Sequence, residues 1–328
     1  MIRIGILGAA KIAPKAIIKP AQDRKNCKVI AVASRSLERA QNYAKEYDIP
    51  ISLSGYESLI EREDIDLIYN ALPPHRHMDL SLEALKAGKS VLCEKPFALN
   101  AAEAKAMVNM AKVSKGYLIE AFHYRYHPAT LKFLDILKEG TIGDIRKIEG
   151  IFNVSIPNRE GELRYIPELG GGALMDLGCY VIHLMRLITK KEPDIKSAVS
   201  TLSQTGVDVR MEADMHFDDI SASLTCDMNE GTERIIRFTV IGDKGRILFE
   251  QFVHPYRDPG FFIKVETDSG LNLISQNDNK ALYTKSTYAY QFDHVIDVVS
   301  GKSSPLTGGL DAIQTMKAID AIYAASRA

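Results

Sequence analysis

The feature that most constrains this chain is an alternation, through residues 1–122, of short β-branched runs with stretches of helical periodicity. Strands are predicted at Arg3–Leu7, Val29–Ala33, Leu67–Asn70, Ser90–Cys93 and Tyr117–Glu120. Such alternation is typical of βαβ units, in which helices connect parallel strands and cover the sheet. We therefore expect an α/β domain with a doubly wound parallel sheet. The helices predicted between these strands include Leu37–Tyr47, Met78–Ala87 and Ala101–Val113, the last with Asn100 and Glu103 as its capping residues.

The pattern changes in the second part of the chain. A helix over Ala129–Glu139 is followed by a strand candidate at Ile145–Val154, and another helix is predicted over 174–188. Residues 197–275 contain successive strands in which apolar and polar residues alternate, which is typical of an antiparallel sheet with one exposed face. We therefore expect residues 123–328 to form an α+β domain. Helical periodicity returns at Tyr288–Ser300 and Leu310–Ser326, and the helix over 310–326 is expected to pack back on the first domain.

Charge and hydropathy argue against several classes of partner. Lys and Arg total 41 while Asp and Glu total 42, so no basic excess exists to neutralise the phosphates of nucleic acid or an anionic bilayer. The N-terminal residues already form a strand, without a basic segment leading into an apolar one. No apolar run approaches the ~18 residues of a membrane span. We expect a soluble cytoplasmic protein that acts on a small molecule.

The first strand runs into a glycine-containing turn suited to a dinucleotide. Gly8 permits the tight turn, small Ala10 lets a pyrophosphate approach the backbone, and small Ala13 lets helix and strand pack closely. The phosphates would then face the N-terminus of a helix. A strand, turn and helix that bind nothing would look similar, but the position at the first strand favours the cofactor interpretation. The cofactor contacts predicted in this turn are Gly8, Ala9, Ala10, Lys11 and Ile12.

The second strand ends at Ser34 and Arg35, without the Asp or Glu that would accept hydrogen bonds from the ribose hydroxyls of NAD(H). Arg35 offers a fixed charge and a planar set of donors suited to a phosphate, and Arg39 follows one turn later. We predict that these three residues bind NADP(H) in preference to NAD(H), with NAD(H) as the second choice. The alternative is that both arginines lie on a solvated helix start.

A lysine follows another predicted strand, in the tripeptide Glu94-Lys95-Pro96. The carboxyl ends of strands form the edge at which open α/β sheets bind ligands, so Lys95 is a candidate for the site. The ordinary alternative is an exposed surface lysine.

A glycine triplet, Gly170 to Gly172, precedes a helix that presents three reactive side chains on one face. Asp176 and Tyr180 are four residues apart, and His183 continues the same face. A carboxylate, a phenol and an imidazole in a row could orient a hydroxyl and exchange its proton while a nicotinamide exchanges a hydride. The alternative is a capping Asp with a Tyr and a His in a partly buried seam.

These features occur in the order found in the Gfo/Idh/MocA oxidoreductases, and the sequence resembles that family over nearly its whole length. The residues that carry the resemblance are the turn at Gly8, the run Asn70-Ala71-Leu72-Pro73-Pro74 with His77, the run from Gly88 to Pro96, Glu120-Ala121-Phe122 with Arg125, and the run from Gly170 to His183.

The resemblance implies a Rossmann domain, followed by a domain built on a large open, mostly antiparallel sheet. It places Lys95 near the nicotinamide and the substrate. Residues that would line the cofactor cleft are Ala71, Leu72, Pro73, Glu94 and Ala121, with His77 in a packing or cofactor-side position and Arg164 on the nicotinamide side.

Many family members have Asp-x-x-x-His in the catalytic helix, whereas this chain has Asp176-x-x-x-Tyr180. This variant resembles the dihydrodiol dehydrogenase, glucose-fructose oxidoreductase and anhydrofructose reductase branches of the family. Tyr180 is then the implied acid/base. A free tyrosine has a pKa of about 10, and the charge of Lys95 would favour its ionisation near neutrality. Asp176 would orient the substrate or the lysine.

The activity implied is hydride transfer between NADP(H) and an alcohol or carbonyl carbon of a sugar, polyol or cyclic trans-diol. The rival hypothesis is a nicotinamide-binding sensor or scaffold of the same fold without turnover. Side chains of the second domain would choose the substrate, and an exposed sheet face there predicts a homodimer or larger assembly.

Four histidines, His75, His77, His123 and His127, have spacings that allow a metal interpretation. Hydride transfer from a nicotinamide with a Lys/Tyr pair needs no metal, so we expect none. The four cysteines are far apart and are expected to be buried free thiols.

Overall fold

The computed structural model describes residues 1–257 and 260–328, and the chain divides into two compact units. Unit 1 comprises Met1–His123 and Tyr288–Met316, and unit 2 comprises Tyr124–Thr287 and Lys317–Ala328. The division therefore differs from the expected second domain over 123–328, because Tyr288–Met316 belongs to unit 1. The last helix contributes to both units, to unit 1 through Met316 and to unit 2 from Lys317.

The strands are, in chain order, β1 Ile2–Leu7, β2 Cys27–Ser34, β3 Ile51–Ser54, β4 Leu67–Asn70, β5 Ser90–Cys93, β6 Leu118–Glu120, β7 Ile145–Asn153, β8 Asp194–Leu202, β9 Asp208–Phe217, β10 Ile220–Asp227, β11 Ile235–Gly242, β12 Gly245–Glu250, β13 Phe261–Thr267 and β14 Gly270–Ser275.

The helices are α1 Lys19–Gln22, α2 Leu37–Glu46, α3 Glu57–Ile60, α4 His77–Lys86, α5 Ala101–Val113, α6 Pro128–Lys138, α7 Cys179–Thr189, α8 Lys280–Tyr283, α9 Thr287–Val299 and α10 Gly309–Ala325. A π-helical turn, Pro14–Ile18, leads into α1, and a second one, Leu174–Gly178, leads into α7. We call the second turn and α7 together the 174–189 helix.

Unit 1 is built on a parallel sheet with the strand order β3-β2-β1-β4-β5-β6. The order reverses between β1 and β4, and such a point is where doubly wound sheets bind ligands. Helices cover both faces, so the strands are apolar along their length. The core includes Ile4, Ile6 and Val32 from the sheet together with Phe292 and Ile296 from α9. The predicted doubly wound parallel sheet is confirmed.

Unit 2 contains an eight-stranded sheet in the order β14-β13-β12-β11-β7-β10-β9-β8. All neighbouring strands are antiparallel except β7 and β10, which are parallel. On β9 the buried residues Met211, Ala213 and Met215 alternate with exposed ones, so one face of the sheet is covered and the other is open. The expected α+β architecture with a mostly antiparallel sheet is therefore confirmed.

Local signals explain most of the elements that position the site. The side chain of Asn100 accepts a hydrogen bond from the backbone N–H of Glu103, and the carboxylate of Glu103 accepts one from Leu99 N. This reciprocal cap stabilises the start of α5 as the sequence predicted. Strand β3, Ile51–Ser54, was not predicted, because its four residues include two serines and have no clear apolar alternation.

Among the described residues, one helical segment is long enough to cross a membrane and has a sufficiently high mean hydropathy, although its apolar residues are not consecutive. This segment is Pro167–Thr189, and 78% of its apolar window is buried inside the protein. A core helix of a folded domain has the same properties. The four cysteines, all among the described residues, are buried and free, as expected.

Candidate active site

Backbone hydrogen bonds tie the loops of unit 1 into one row along the carboxyl edge of its sheet. The N–H of Gly8 donates to Ala33 O, that of Ala71 to Leu7 O, that of Glu94 to Asn70 O, and that of Ala121 to Cys93 O, at 2.8–3.3 Å. Each loop is thus anchored to the neighbouring strand. Residues that the sequence analysis selected from four separate parts of unit 1 lie along this edge.

The turn after β1 has the conformation that a dinucleotide site requires. Gly8 has a φ of +94°, and a Cβ there would lie 2.8 Å from Cδ2 of Leu72. The phenol of Tyr43 on α2 donates to Ala10 O at 2.9 Å and holds the turn. A tight turn with small side chains at the start of a helix lets a pyrophosphate approach the backbone. These residues therefore fit the nicotinamide dinucleotide that the sequence implies.

The end of β2 places two cations beside this turn. Ser34 is buried and its carbonyl accepts a hydrogen bond from Gly55 N, while Arg35 is exposed. Ser36 caps α2 by accepting from Arg39 N at 3.3 Å, and Nη2 of Arg39 donates to Ala9 O at 3.2 Å. The guanidinium of Arg39 therefore lies against the phosphate turn. Because no acid stands at the end of β2, this corner of unit 1 is cationic.

Asn70 organises the loop that follows β4. Its side chain is fully buried, and Nδ2 donates to Arg76 O, His77 O and Oγ of Ser81 at 3.2–3.4 Å. Its Oδ1 accepts from Leu72 N at 3.4 Å. The amide thus folds residues 71–77 back over the strand end and fixes Leu72 beside Gly8.

His77 joins this loop to the one that carries Lys95. Its Nε2 lies 2.7 Å from Leu72 O and its Nδ1 lies 2.9 Å from Pro96 O. Two carbonyl oxygens favour a protonated ring, but complete burial favours the neutral ring and is the larger effect, lowering the pKa of His77 to about 4. His77 is therefore a structural link between two site loops.

Glu94 is held from the other side of the same loop. The phenol of Tyr69, which is fully buried in β4, donates to Oε1 of Glu94 at 2.5 Å. Burial, with the Glu94 charge, raises the pKa of Tyr69 well above its ordinary value, so this phenol stays a donor. Lys95 stands between the bond at Glu94 and the bond at Pro96, and the Lys95–Pro96 peptide is cis. The backbone of the lysine is thus fixed on both sides.

In unit 2, the 174–189 helix begins with an ion pair. Nε of Arg164 donates to Oδ2 of Asp176 at 2.6 Å, and Nη1 of Arg164 donates to Glu162 at 2.9 Å. The two carboxylates, Asp176 first, raise the pKa of Arg164 above its ordinary value. Arg164, which the resemblance implies on the nicotinamide side, therefore holds Asp176 in unit 2.

Tyr180 and His183 lie further along the same helix and are both nearly inaccessible, at 4% and 2% exposure. The phenol of Tyr124 lies 2.5 Å from Nδ1 of His183, and the rings of Tyr124 and Tyr180 are 5.8 Å apart. Tyr180 and His183 thus both border Tyr124, whereas Asp176 lies in the π-helical turn before α7 and bonds Arg164. A face shared by all three side chains stays a prediction. Tyr124 lies in the short turn His123–Tyr126 before α6, and the spacing of residues along the 174–189 helix could not have identified it.

Asp208, the first residue of β9, was also missed. It is 2% exposed, accepts from Leu174 N at 2.7 Å and from the phenol of Tyr323 at 2.7 Å, and therefore caps the 174–189 helix from outside. No local pattern in the sequence links Asp208 to that helix, because Asp208 follows Leu174 by 34 residues.

Three of the four histidines proposed as alternative metal ligands have other partners. His77 binds two carbonyls, and Nδ1 of His127 accepts from Ala129 N at 3.1 Å while its Nε2 lies 3.1 Å from Lys285 O. His123 stacks on Tyr288 at 4.0 Å. Within residues 1–257 and 260–328, no group of three or more His, Cys, Asp or Glu side chains is arranged to hold a metal ion.

Two long segments of the chain match models of known protein families. Residues 2–122 match the family model described as "Oxidoreductase family, NAD-binding Rossmann fold", and residues 130–248 match the GFO/IDH/MocA C-terminal domain.

Two curated relatives have named activities. The trans-1,2-dihydrobenzene-1,2-diol dehydrogenase of Xenopus tropicalis is 36% identical over 63% of this chain, and the match spans only 63% of that protein's length. The D-xylose 1-dehydrogenase (NADP⁺) of Haloferax volcanii is 28% identical over 97% of this chain and 95% of its own.

Among solved structures, the 3-ketoreductase KijD10 of Actinomadura kijaniata, in complex with NADP and TDP-benzene, aligns with a TM-score of 0.87. It is 25% identical, and the alignment covers 99% of this chain and 97% of KijD10. The resemblance first recognised in scattered motifs therefore extends over the whole fold.

Proposed function

Because this chain belongs to the GFO/IDH/MocA oxidoreductases, which are NAD(P)-dependent dehydrogenases and reductases, we propose that it moves a hydride between NADP(H) and a carbon bearing an alcohol or carbonyl. The substrate class is a sugar, a polyol or a cyclic trans-diol. The observation that carries this proposal is the fixing of Lys95 at the carboxyl edge of the unit 1 sheet, in the same row of loops as the Gly8 turn.

Unit 1 supplies the groups that would hold the dinucleotide. The Gly8 turn, from Gly8 to Ile12, would take the pyrophosphate, and the loop from Ala71 to Pro73 with Glu94 and Ala121 would line the nicotinamide side. When bound, the nicotinamide ring supplies or accepts the hydride. Lys95 contributes a positive charge beside it.

Preference for NADP(H) follows from the corner at the end of β2. Arg35 is exposed there, and Arg39 lies against the phosphate turn through its bond to Ala9 O. Ser34 can add a hydroxyl donor. A 2′-phosphate would form charge-assisted hydrogen bonds with these guanidinium groups, which an unmodified ribose cannot do.

Proton transfer is assigned to the 174–189 helix. We assign Tyr180 as the acid/base that gives a proton to, or takes one from, the substrate oxygen, and Lys95 as the cation that favours its ionised form. Asp176, held by Arg164, orients a substrate hydroxyl. His183, bonded to Tyr124, supports the helix face behind Tyr180.

The named relatives support the substrate class. One is named for a cyclic trans-diol and another for an aldose, and both dehydrogenations remove a hydride from a carbon that bears oxygen. The two relatives act on different substrates, so the individual substrate of this chain has to be found by screening.

The test is a fluorescence titration with NADPH and NADH, followed by a screen of sugars, polyols and trans-diols at the nicotinamide absorbance band. Lys95→Ala and Tyr180→Phe should each lower kcat by roughly 100-fold or more. The matched controls, Lys86→Ala and Tyr117→Phe, change an exposed lysine and an exposed tyrosine of unit 1 and should keep wild-type rates.

A double variant tests whether the two groups act together. If Lys95 serves Tyr180, kcat of the Lys95→Ala/Tyr180→Phe double variant should be little lower than that of either single variant, because the effects of residues that act as a unit are not additive. NADPH binding without turnover across the panel would instead favour a sensor or scaffold. Failure to bind either nicotinamide cofactor would contradict the proposal outright.

Assembly is the second part of the proposal. On the open face of the unit 2 sheet, Leu248 on β12 and Leu273 on β14 lie in one cross-strand row with Lys264 between them, and Val199 on β8 lies in the neighbouring row beside Glu212. The ion pairs of this face include Arg237–Glu250. We infer that a second copy of this chain covers the face. Light scattering should then give a dimer or larger species, and Val199→Glu should shift it toward monomer.

A further inference from the structure

The start of the 174–189 helix is capped by a residue from a distant strand, and what we infer from this rests on the function proposed for Asp176 and Tyr180. Ala173, at the N-cap position, makes no side-chain capping bond. The capping group comes instead from β9, where Oδ2 of Asp208 accepts a hydrogen bond from Leu174 N at 2.7 Å. A carboxylate at a helix N-terminus is favoured both by the free N–H groups and by the helix dipole.

Asp208 is itself held from a distant part of the chain. Its Oδ1 accepts a hydrogen bond from the phenol of Tyr323 on α10 at 2.7 Å, and the carboxylate is 2% exposed. The last turns of α10 therefore reach the helix that carries the proposed acid/base, through one buried carboxylate.

The glycine triplet is clamped against this pair. Gly172 has a φ of +124°, and a Cβ there would lie 2.2 Å from Oδ1 of Asp208 and 2.8 Å from the phenol oxygen of Tyr323. On its other side, Gly172 N donates to Arg164 O at 3.0 Å. Arg164 also donates to Asp176 through its side chain. Hydrogen bonds with Arg164 therefore hold both Gly172 and Asp176.

The geometry points to Asp208, held by Tyr323, as a positioning residue that sets the first turn of the 174–189 helix and loosens that turn when it takes up a proton. Both carboxylate oxygens act as acceptors in the ionised form. A proton on Oδ1 would require the bond with Tyr323 to reverse and would remove the negative charge from the helix N-terminus. Asp176, in this first turn, would then be less well placed.

The surroundings make Asp208 the group that changes charge near neutrality. Burial, opposed by its hydrogen bonds, raises the pKa of Asp208 to about 6. The neighbours are Tyr323, whose pKa burial raises well above 10, Cys226 on β10, whose pKa burial also raises, and Arg327, which lies 5.7 Å from the Tyr323 ring. These three keep their charge between pH 5 and 8.

The test compares the pH dependence of kcat, at saturating cofactor and substrate, in the wild type and Asp208→Asn. An Asn keeps the shape, can accept from Leu174 N, and does not titrate. Wild-type kcat should fall by about threefold or more between pH 7.5 and pH 5.5. Asp208→Asn should have the lower value already at pH 7.5, and the ratio of wild-type to Asp208→Asn kcat should fall to less than about 1.5 at pH 5.5, since any titration of Tyr180 affects both proteins alike.

Two further variants separate positioning from general damage. Tyr323→Phe removes a donor to the ionised carboxylate, so its acid limb should move to higher pH. Asp227→Asn is the matched control, because Asp227 is also a buried carboxylate of unit 2, on β10, but bonds Arg210 and Asn229 instead. Its kcat profile should keep the wild-type shape.

Amide hydrogen exchange gives a readout that needs no substrate. After correction for intrinsic rates, wild-type peptides covering residues 172–180 should exchange faster at pH 5.5 than at pH 7.5, and those of Asp208→Asn should not. A ratio of wild-type to Asp208→Asn kcat that does not change with pH, or exchange that is independent of pH in the wild type, overturns the positioning role. If no substrate is turned over, the proposed function fails while the exchange result still decides this inference.

Discussion

Nε of Arg164 lies 2.6 Å from Oδ2 of Asp176, and this ion pair joins the loop before the glycine triplet to the helix that carries Tyr180. The same guanidinium bonds Glu162, so Arg164 spans two carboxylates with a planar set of donors. The family resemblance implies a contact between this arginine and the nicotinamide, whereas its contacts in unit 2 indicate that it positions Asp176. The two roles differ in what they predict.

Arg164→Lys tests them, because a lysine cannot bond both carboxylates in the same geometry. We expect kcat to fall by about tenfold or more through a poorly placed Asp176, while the Kd for NADPH stays within about twofold. Steady-state kinetics and a fluorescence titration give the two values. A tenfold weaker Kd for NADPH with kcat retained would identify Arg164 as a cofactor contact instead.

The cationic corner at the end of β2 predicts a selective effect on cofactor choice. Replacing Arg35 and Arg39 together by Ala should weaken NADPH binding by about 10- to 100-fold, since a charge-assisted hydrogen bond contributes ~1.5–3 kcal/mol. NADH binding should change little. Arg146→Ala, at an exposed arginine of unit 2, is the control. Equal losses for both cofactors would mean that the two arginines stabilise the fold and do not read the 2′-phosphate.

The buried His127 predicts how stability depends on pH. Its neutral form is satisfied at both nitrogens, accepting from Ala129 N and donating to Lys285 O, and burial lowers its pKa to about 4. The unfolded ring has a pKa near 6.5, so the unfolded state binds more protons between these values. The free energy of unfolding should therefore fall, by on the order of 3 kcal/mol, as the pH decreases from about 6.5 to 4.

His127→Asn should remove about half of the dependence that buried histidines cause, because an Asn can cap α6 at Ala129 N without titrating. His77, whose pKa burial also lowers to about 4, keeps the other half. Asp208 acts in the opposite direction over part of the same window, since its pKa is raised and ionisation there destabilises the fold as the pH rises. Denaturant unfolding at pH 7 and pH 5 measures both. An unchanged pH slope in His127→Asn would contradict the assignment to this ring.

Gly172 predicts a steric effect that an open glycine does not have. Gly172→Ala would place a Cβ 2.2 Å from Oδ1 of the buried Asp208, whereas Gly206, which also has a positive φ, has nothing within 4 Å of the same position. Gly206→Ala should cost about 1 kcal/mol of backbone strain, and Gly172→Ala about 2–4 kcal/mol because overpacking is added. Thermal unfolding would show the difference, and equal losses would exclude the clamp.

The sequence alone was sufficient for the elements whose cause is local. Apolar periodicity located most strands and helices of unit 1, because strand and helix repeats of two and 3.6 residues leave a direct signature. The reciprocal cap at Asn100 and Glu103 could be recognised for the same reason, as could the Gly8 turn. Each depends on residues only a few positions apart.

Tertiary structure decided the contacts that join distant residues. The sequence indicated Arg164 and Asp176 separately, but not that they form an ion pair, and it did not indicate Asp208 or Tyr323 at all. It expected the helix over 310–326 to pack on the first domain but placed the preceding helix, α9, in the second, although the apolar face of α9 completes the core of unit 1. Burial and capping at these places depend on strand order and on where a returning helix packs. Periodicity along the chain records which face of an element is buried, but not what buries it.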